Sequence, residues 1–318
     1  MKIGKMKLLI TEFEDFSQEA IKILSEKFDV DLLENFSRAH LIDRIHLYDV
    51  IFIRLGIHID KEIIEQGTRL KYILTATTGL DHIDVDYFEK RGGKVISLKD
   101  EVAFLSSIPS TAEHTWALLL SLVKKIPSSF ESVKEGVWNR NLYKGNNLKG
   151  KKLGILGLGR VGVQVAKFAQ AFDMEVSYYD CQKKETNLAE FNSAEALFEW
   201  AEILSIHIPL NKNNVHFVDK SLLDLLPKQS ILINTSRGAV IDESYLCSLI
   251  KENRIKGYAT DVIENELNLD FSNNELISLA KAGYNVIITP HIAGATFESM
   301  KMTEDFIVQK FFKFYQKC

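Results

Sequence analysis

The chain has 318 residues, which at roughly 150 residues per domain suggests two domains. Apolar residues make up 46% and charged residues 26%, a globular balance that excludes disorder and low-complexity architecture. A formal net charge of −4 supplies no generic attraction to nucleic acid or to an anionic membrane, so neither is expected as a partner.

Along the chain, short β-branched runs alternate with longer amphipathic segments. Residues 8–11, 50–53 and 71–75 read as buried strands, and 17–27 as a helix. Residues 106–147 interrupt this rhythm with one strong helix, 111–125, begun by Ser110 and Thr111 with Glu113 behind them and ended near Pro127. Strands resume at 152–156, 175–179, 203–208, 231–234, 258–262 and 286–289, and only a short helix fits in 296–317. Strands separated by helices imply βαβ units, so the expected class is α/β with mostly parallel sheets. The two halves should meet between about residues 100 and 151.

Cys181, Cys247 and Cys318 are odd in number, far apart and without a C-x-x-C pair, which fits a reducing compartment better than a disulfide framework. The start of the chain is basic, but the apolar run after it is too short for a secretory signal. The longest apolar stretch, 116–123, is broken by Ser121 and is too short to span a bilayer. A cytoplasmic protein is expected.

Directly after the strand 152–156 comes Gly157-Leu158-Gly159-Arg160-Val161-Gly162, leading into a helix with Val161, Val165 and Phe168 on one face. In such a turn the first glycine makes the bend, the second admits a pyrophosphate and the third packs helix on strand, while the helix N-terminus attracts the anion. A lone G-x-G-x-x-G is weak evidence. Here a strand and a helix flank it, and a second strand ends at Asp180, 18 residues after Gly162, where a ribose hydroxyl would be held. Asp180 would repel a 2′-phosphate, which favours NAD over NADP, although Lys183 and Lys184 lie close by.

Three later polar residues stand at strand ends: Arg237 after 231–234, Glu266 beyond Asp261, and His291 after Pro290. Carboxyl ends of parallel strands line the ligand crevice of such sheets. An arginine fork can clamp a carboxylate and polarise a carbonyl, a histidine can pass a proton, and a carboxylate can favour the imidazolium. Singly, each residue has an ordinary structural reading, as surface cation, acidic loop or packing group. His207, before Pro209 at a strand end, is placed to border the cofactor. No recognised metal-ligand spacing and no G-x-S-x-G elbow is present. An S-adenosylmethionine enzyme would leave Arg237, Glu266 and His291 without a role.

On these residues the chain resembles the D-isomer-specific 2-hydroxyacid dehydrogenase family over nearly its whole length. The resemblance runs through Thr77-Thr78-Gly79-Leu80-Asp81-His82-Ile83-Asp84, Thr111-Ala112-Glu113-His114 and Lys149-Gly150-Lys151-Lys152-Leu153-Gly154 into the glycine turn. It continues through His207-Ile208-Pro209-Leu210, residues 234–238, residues 257–262 with Glu266, and Thr289-Pro290-His291-Ile292-Ala293-Gly294. It implies two doubly wound parallel-sheet domains: a flavodoxin-like substrate domain (1–103 and 292–318) and an inserted NAD-binding Rossmann domain (104–291). It implies NAD-dependent interconversion of a 2-oxo acid and a D-2-hydroxy acid in a cleft between the domains. Arg237, Glu266 and His291 would be catalytic, with Arg237 on the substrate, His291 as acid/base and Glu266 as its orienting partner. Gly157, Gly159, Arg160, Val161, Gly162, Asp180, His207, Pro209, Thr235 and Asp261 would bind the cofactor, Asp261 at the nicotinamide carboxamide. Thr78 and Gly79 amides would hold the substrate carboxylate.

Arg54 is placed like an arginine of phosphoglycerate dehydrogenases, which implies a phosphorylated or otherwise anionic substrate. Against this, 97–110 is longer than the usual loop and carries Ser106-Ser107-Ile108-Pro109. The family resemblance also implies a homodimer built from 106–147, with Trp116, Phe130, Val137, Trp138 and Tyr143 as candidate contacts. It leaves one alternative of another class, an NADH-sensing co-repressor-type scaffold on the same fold.

Overall fold

In the computed structural model, residues 5–33 and 37–316 are described. Most of the basic start (residues 1–4) and Cys318 lie outside them. The chain forms two compact units, Met1–Ser107 with Ala295–Cys318, and Ile108–Gly294.

The first unit contains β1 (Lys7–Ile10), β2 (Asp29–Leu32), β3 (Val50–Ile53), β4 (Tyr72–Thr75) and β5 (Lys94–Ile96). All its pairings are parallel, in the order β2-β1-β3-β4-β5, the doubly wound flavodoxin-like arrangement. Strand periodicity explains why both faces are covered. Leu8, Ile10, Val50, Phe52 and Leu74 point to one apolar cluster, while Leu9, Ile51, Ile53 and Ile73 point to the other. Each face therefore requires its own layer of helices.

The second unit contains β6 (Lys152–Leu156), β7 (Glu175–Tyr179), β8 (Ala189–Glu190), β9 (Ile203–Ile206), β10 (Ser230–Asn234), β11 (Ile255–Thr260) and β12 (Val286–Ile288). These too are parallel, in the order β12-β11-β10-β9-β6-β7-β8. This is the Rossmann order with one strand added, and the order reverses between β9 and β6, beside the glycine turn.

Several boundaries differ from those expected. The first junction falls after Ser107 because Phe104 stacks on Phe306 of the terminal helix, 4.0 Å between centroids. The second falls after Gly294 because the Ile292 and Ala293 amides donate to Asp261. The helix expected at 111–125 is Ser110–Lys124, and its N-cap position is Pro109 with no side-chain cap. Ser110 is buried in the first turn and does not cap it. Lys125 closes that helix in the left-handed region, and Pro127 opens a second helix, Ile126–Lys134, where a fixed φ costs nothing. Expected strands 203–208, 258–262 and 286–289 end earlier, so His207 and Asp261 lie just past β9 and β11.

The segment expected to hold a short final helix carries a 19-residue one, Phe297–Tyr315, capped by Thr296 Oγ1 accepting from the Ser299 amide. Its Ile307, Val308 and Phe311 complete one core of the first unit. Phe311 is fully buried, with ring centroids 5.5 Å from Phe28 and 5.2 Å from Tyr72. Phe311→Ala is expected to destabilise this unit by about 3–5 kcal/mol, the range for truncating a buried aromatic. Urea unfolding of the variant against wild type measures it, and a loss below about 1 kcal/mol would contradict this account of the helix.

Candidate active site

The dinucleotide turn begins where β6 ends. Gly157 has φ +93°, and an added Cβ would lie 2.8 Å from Ile208 and 2.9 Å from the His207 carbonyl oxygen, so glycine is required. Gly162 is buried in the first turn of the helix Arg160–Ala171, and Val161 packs half-buried against the adjoining core. The helix N-cap is Gly159, which has no side chain to cap the first amides. An added Cβ at Gly159 would meet no protein atom within 4 Å. Uncapped amides at a helix N-terminus beside open space fit a pyrophosphate. The residues present therefore fit a dinucleotide.

Around this turn, Asp180 follows β7 and its Oδ2 accepts from the Leu158 amide at 2.9 Å, tying the carboxylate to the glycine loop. Lys184 Nζ lies 3.4 Å from Asp180. Arg160 Nη1 donates to the Ile108 carbonyl at 3.3 Å. His207 Nε2 is 2.8 Å from Ser205 Oγ, and enclosure, with Arg160 nearby, lowers its pKa to about 3, so the imidazole is neutral. Pro209 is exposed in the loop beyond, and the buried Thr235 hydroxyl pairs with Thr115 at 2.7 Å.

β10, β11 and β12 are neighbours, and Arg237, Glu266 and His291 stand on the loops at their carboxyl ends, at one edge of the sheet. Asn234 fixes the first loop: its Oδ1 accepts from the Ser236 amide and its Nδ2 donates to the Arg237 carbonyl, both at 2.9 Å. Arg237 is half-buried and donates from Nη1 to the Ser236 carbonyl at 2.8 Å. Next to it, an added Cβ on Gly238 would be 2.0 Å from the Ile263 carbonyl carbon, so only glycine lets this loop lie on the one that leads to Glu266. His291 has a left-handed backbone, φ 55°, and its amide donates to the Asp261 carbonyl at 2.9 Å. Its Nδ1 is 2.5 Å from Glu266 Oε1. With Nδ1 engaged by the carboxylate, Nε2 is the nitrogen available for proton transfer.

Asp261 is 1% exposed and both its oxygens accept from this chain: Oδ1 from Thr289 Oγ1 at 2.5 Å and the Ile292 amide at 2.9 Å, Oδ2 from the Ala293 amide at 2.7 Å. His114 Nε2 lies 3.4 Å from Oδ1 and 2.9 Å from Thr289 Oγ1. Sequence reasoning gave no role to His114, Asn234, Thr289 or Glu243. The first three stand inside quoted motifs, which was the available signal; Glu243 carried none.

The remaining expected site residues belong to the first unit. Thr78 is exposed and Gly79 half-exposed in the turn after β4, where Thr77 Oγ1 donates to the Gly79 carbonyl at 2.9 Å. Arg54, just past β3, is engaged within its own unit: Nη2 lies 2.6 Å from Glu304 Oε1, and Nη1 donates to the Glu14 carbonyl at 3.0 Å. Among the described residues, no group of three or more His, Cys, Asp or Glu could hold a metal ion.

Residues 116–293 match the family described as D-isomer specific 2-hydroxyacid dehydrogenase, NAD binding domain. The chain belongs to the D-isomer specific 2-hydroxyacid dehydrogenase family. The enzymes of this family are NAD-dependent oxidoreductases, and NAD is the cofactor that the matched domain binds. Among relatives, the chain is 34% identical over 311 residues to a D-3-phosphoglycerate dehydrogenase of Methanocaldococcus jannaschii, covering 96% of this chain but 56% of that protein. It is 33% identical over 302 residues to a hydroxypyruvate reductase of Thermotoga maritima, covering 94% of this chain and 96% of that one. Among solved structures, D-lactate dehydrogenase from Aquifex aeolicus, complexed with NAD and lactic acid, superposes with a TM-score of 0.84 at 27% identity, covering 98% of this chain and 96% of that one.

Within this family member, Glu243 lies behind the Glu266 loop, accepting the Glu264 amide at 3.0 Å. Burial, with the negative charges of Glu264 and Glu266, raises its pKa from 4.5 to about 7. The folded state thus keeps a proton that the unfolded chain releases near 4.5, so this contribution is full in acid and is lost as pH rises to about 7. Glu243→Gln should therefore gain roughly 1–3 kcal/mol on wild type between pH 5 and pH 8. Denaturant midpoints across that range test it; a pH-independent difference would contradict the burial argument.

Proposed function

We propose that the chain reduces a 2-oxo acid to a D-2-hydroxy acid with NADH, and catalyses the reverse oxidation with NAD. The observation that carries this is the His291–Glu266 pair at 2.5 Å, linked through Asp261 and Gly238 to the Arg237 loop, in the unit whose glycine turn fits a dinucleotide. A bound NADH supplies the hydride. Arg237 holds the substrate carboxylate and polarises the carbonyl. His291 delivers a proton from Nε2 to the developing alkoxide, and in oxidation withdraws it. Glu266 fixes the ring through Nδ1. Asp180 accepts from ribose hydroxyls and favours NAD over NADP, and Asp261 accepts from the nicotinamide carboxamide while holding the His291 turn. The first unit is read as the substrate domain, with the Thr78 and Gly79 amides receiving the carboxylate. The scaffold alternative has none of the three relatives above in its favour.

We place the protein in the cytoplasm, where the free cysteines Cys181 and Cys247 would stay reduced. No helix among the described residues is long and apolar enough to cross a membrane. A homodimer is supported by the apolar surface of Ile126–Lys134 and the turn beyond it, where Phe130 is 61% and Trp138 89% exposed. Trp116 is no part of this surface; it is buried against Phe168 and Phe172.

Steady-state NADH oxidation tests the reaction. Arg237→Ala should lower kcat/KM by about a thousandfold or more, and His291→Ala should in addition remove the acid–base limb of the pH profile. Near-normal turnover by either variant would refute the assignment. Light scattering should return the mass of two chains, and a monomer at micromolar concentration would discard the dimer.

A further inference from the structure

The loops that leave β1, β3 and β4 at their carboxyl ends, residues 11–17, 54–60 and 76–84, contain six Asp or Glu and a single Lys or Arg, which is Arg54. Arg54 and the Thr78–Gly79 turn leave adjacent strands at paired positions, since Ile53 is the register partner of Thr75. If the proposed reading holds and this turn receives the substrate carboxylate, Arg54 is the one Lys or Arg that these loops could offer to the substrate's far end.

That cation is already neutralised. Glu304, on the terminal helix, has a side chain 1% exposed, and its Oε1 accepts from Arg54 Nε at 3.1 Å and Nη2 at 2.6 Å. Its Oε2 accepts from the Ser17 amide at 2.7 Å. Arg54 Nη1 donates to the Glu14 carbonyl, and the guanidinium lies over the Phe16 ring, 5.4 Å from its centroid. Three N–H donors converge on the two oxygens of Glu304, the arrangement that holds an ionised carboxylate. Turning Arg54 toward a ligand would strand that carboxylate in the interior without its cation, a costly exchange. A phosphoryl group brings nearly two negative charges and needs free cations or N–H donors to receive them. This rim offers carboxylates and an arginine held elsewhere.

We infer that the Arg54–Glu304 pair makes this enzyme selective for a monoanionic 2-oxo acid whose remaining substituent is uncharged, and against a phosphorylated one. Arg54 is then a structural cross-link between the chain's beginning and its end, and Glu304 is a specificity-determining residue that acts through it.

The test is NADH oxidation by the full chain with hydroxypyruvate, glyoxylate and 3-phosphohydroxypyruvate. The better unphosphorylated acid should exceed the phosphorylated one in kcat/KM by about a hundredfold, and Glu304→Gln, by releasing Arg54, should narrow that ratio about tenfold through a gain on the phosphorylated acid. Equal or better use of 3-phosphohydroxypyruvate by wild type overturns the inference while leaving the dehydrogenase reading intact. An unchanged ratio in a Glu304→Gln variant with wild-type melting overturns the role given to Glu304. Should that variant not fold, the wild-type ratio decides alone. If none of the three acids nor a wider panel of 2-oxo acids is reduced, the dehydrogenase reading falls and this inference with it.

Discussion

Asp261 organises the second unit's chemistry because one residue fastens both ends of the turn that carries His291. Its carbonyl accepts the His291 amide, and its carboxylate accepts the next two amides and the Thr289 hydroxyl. A left-handed backbone costs a non-glycine residue roughly 1–2 kcal/mol, so the conformation at His291 persists only where surrounding bonds impose it. The conformation has a use: it lets a residue just past β12 present Nδ1 to Glu266, on the loop after β11. Without Asp261 the imidazole would keep Glu266 as a partner, but the backbone turn that carries it would lose the bonds that impose its left-handed conformation.

The parts of this arrangement that could be read from sequence share a cause. Strands buried on both faces appear as compact apolar runs, so β3 and β6 are legible to the residue, and β7 is legible from its β-branched and aromatic residues before Asp180. β5 and β8 are too short, at three and two residues, to leave a periodic signal, and β2 alternates Asp29-Val30-Asp31-Leu32 over only four residues, with two carboxylates that break the apolar run expected of a buried parallel strand. The strand-end placement of Arg237, Glu266 and His291 is legible because parallel strands put their carboxyl ends at one edge of a sheet. Arg54 was recognised but its engagement was not. Its partner is 250 positions away, and no local pattern announces a contact of that range. The terminal helix was underestimated for the same reason. Its apolar residues serve a core whose other residues lie in positions 6–105, and only the assembled sheet calls for a long helix there.

Three interior carboxylates show how the number of donors, more than burial itself, sets the charge each one keeps. Burial raises all three. At Asp261 it is outweighed by His114, Thr289 and the Ala293 and Ile292 amides, which leave the group below its ordinary value. At Glu304 the Ser17 amide and Arg54 oppose burial without cancelling it, and the group stays above its ordinary value. Glu243 has one amide in its favour and two acidic neighbours against it, and rises to about 7. Asp261 can therefore serve as a constant anchor at any working pH, whereas the charge behind the Glu266 loop changes near neutrality. A carboxylate held low by its donors fastens the histidine's backbone, and one that titrates near neutrality sits behind the loop of its carboxylate partner.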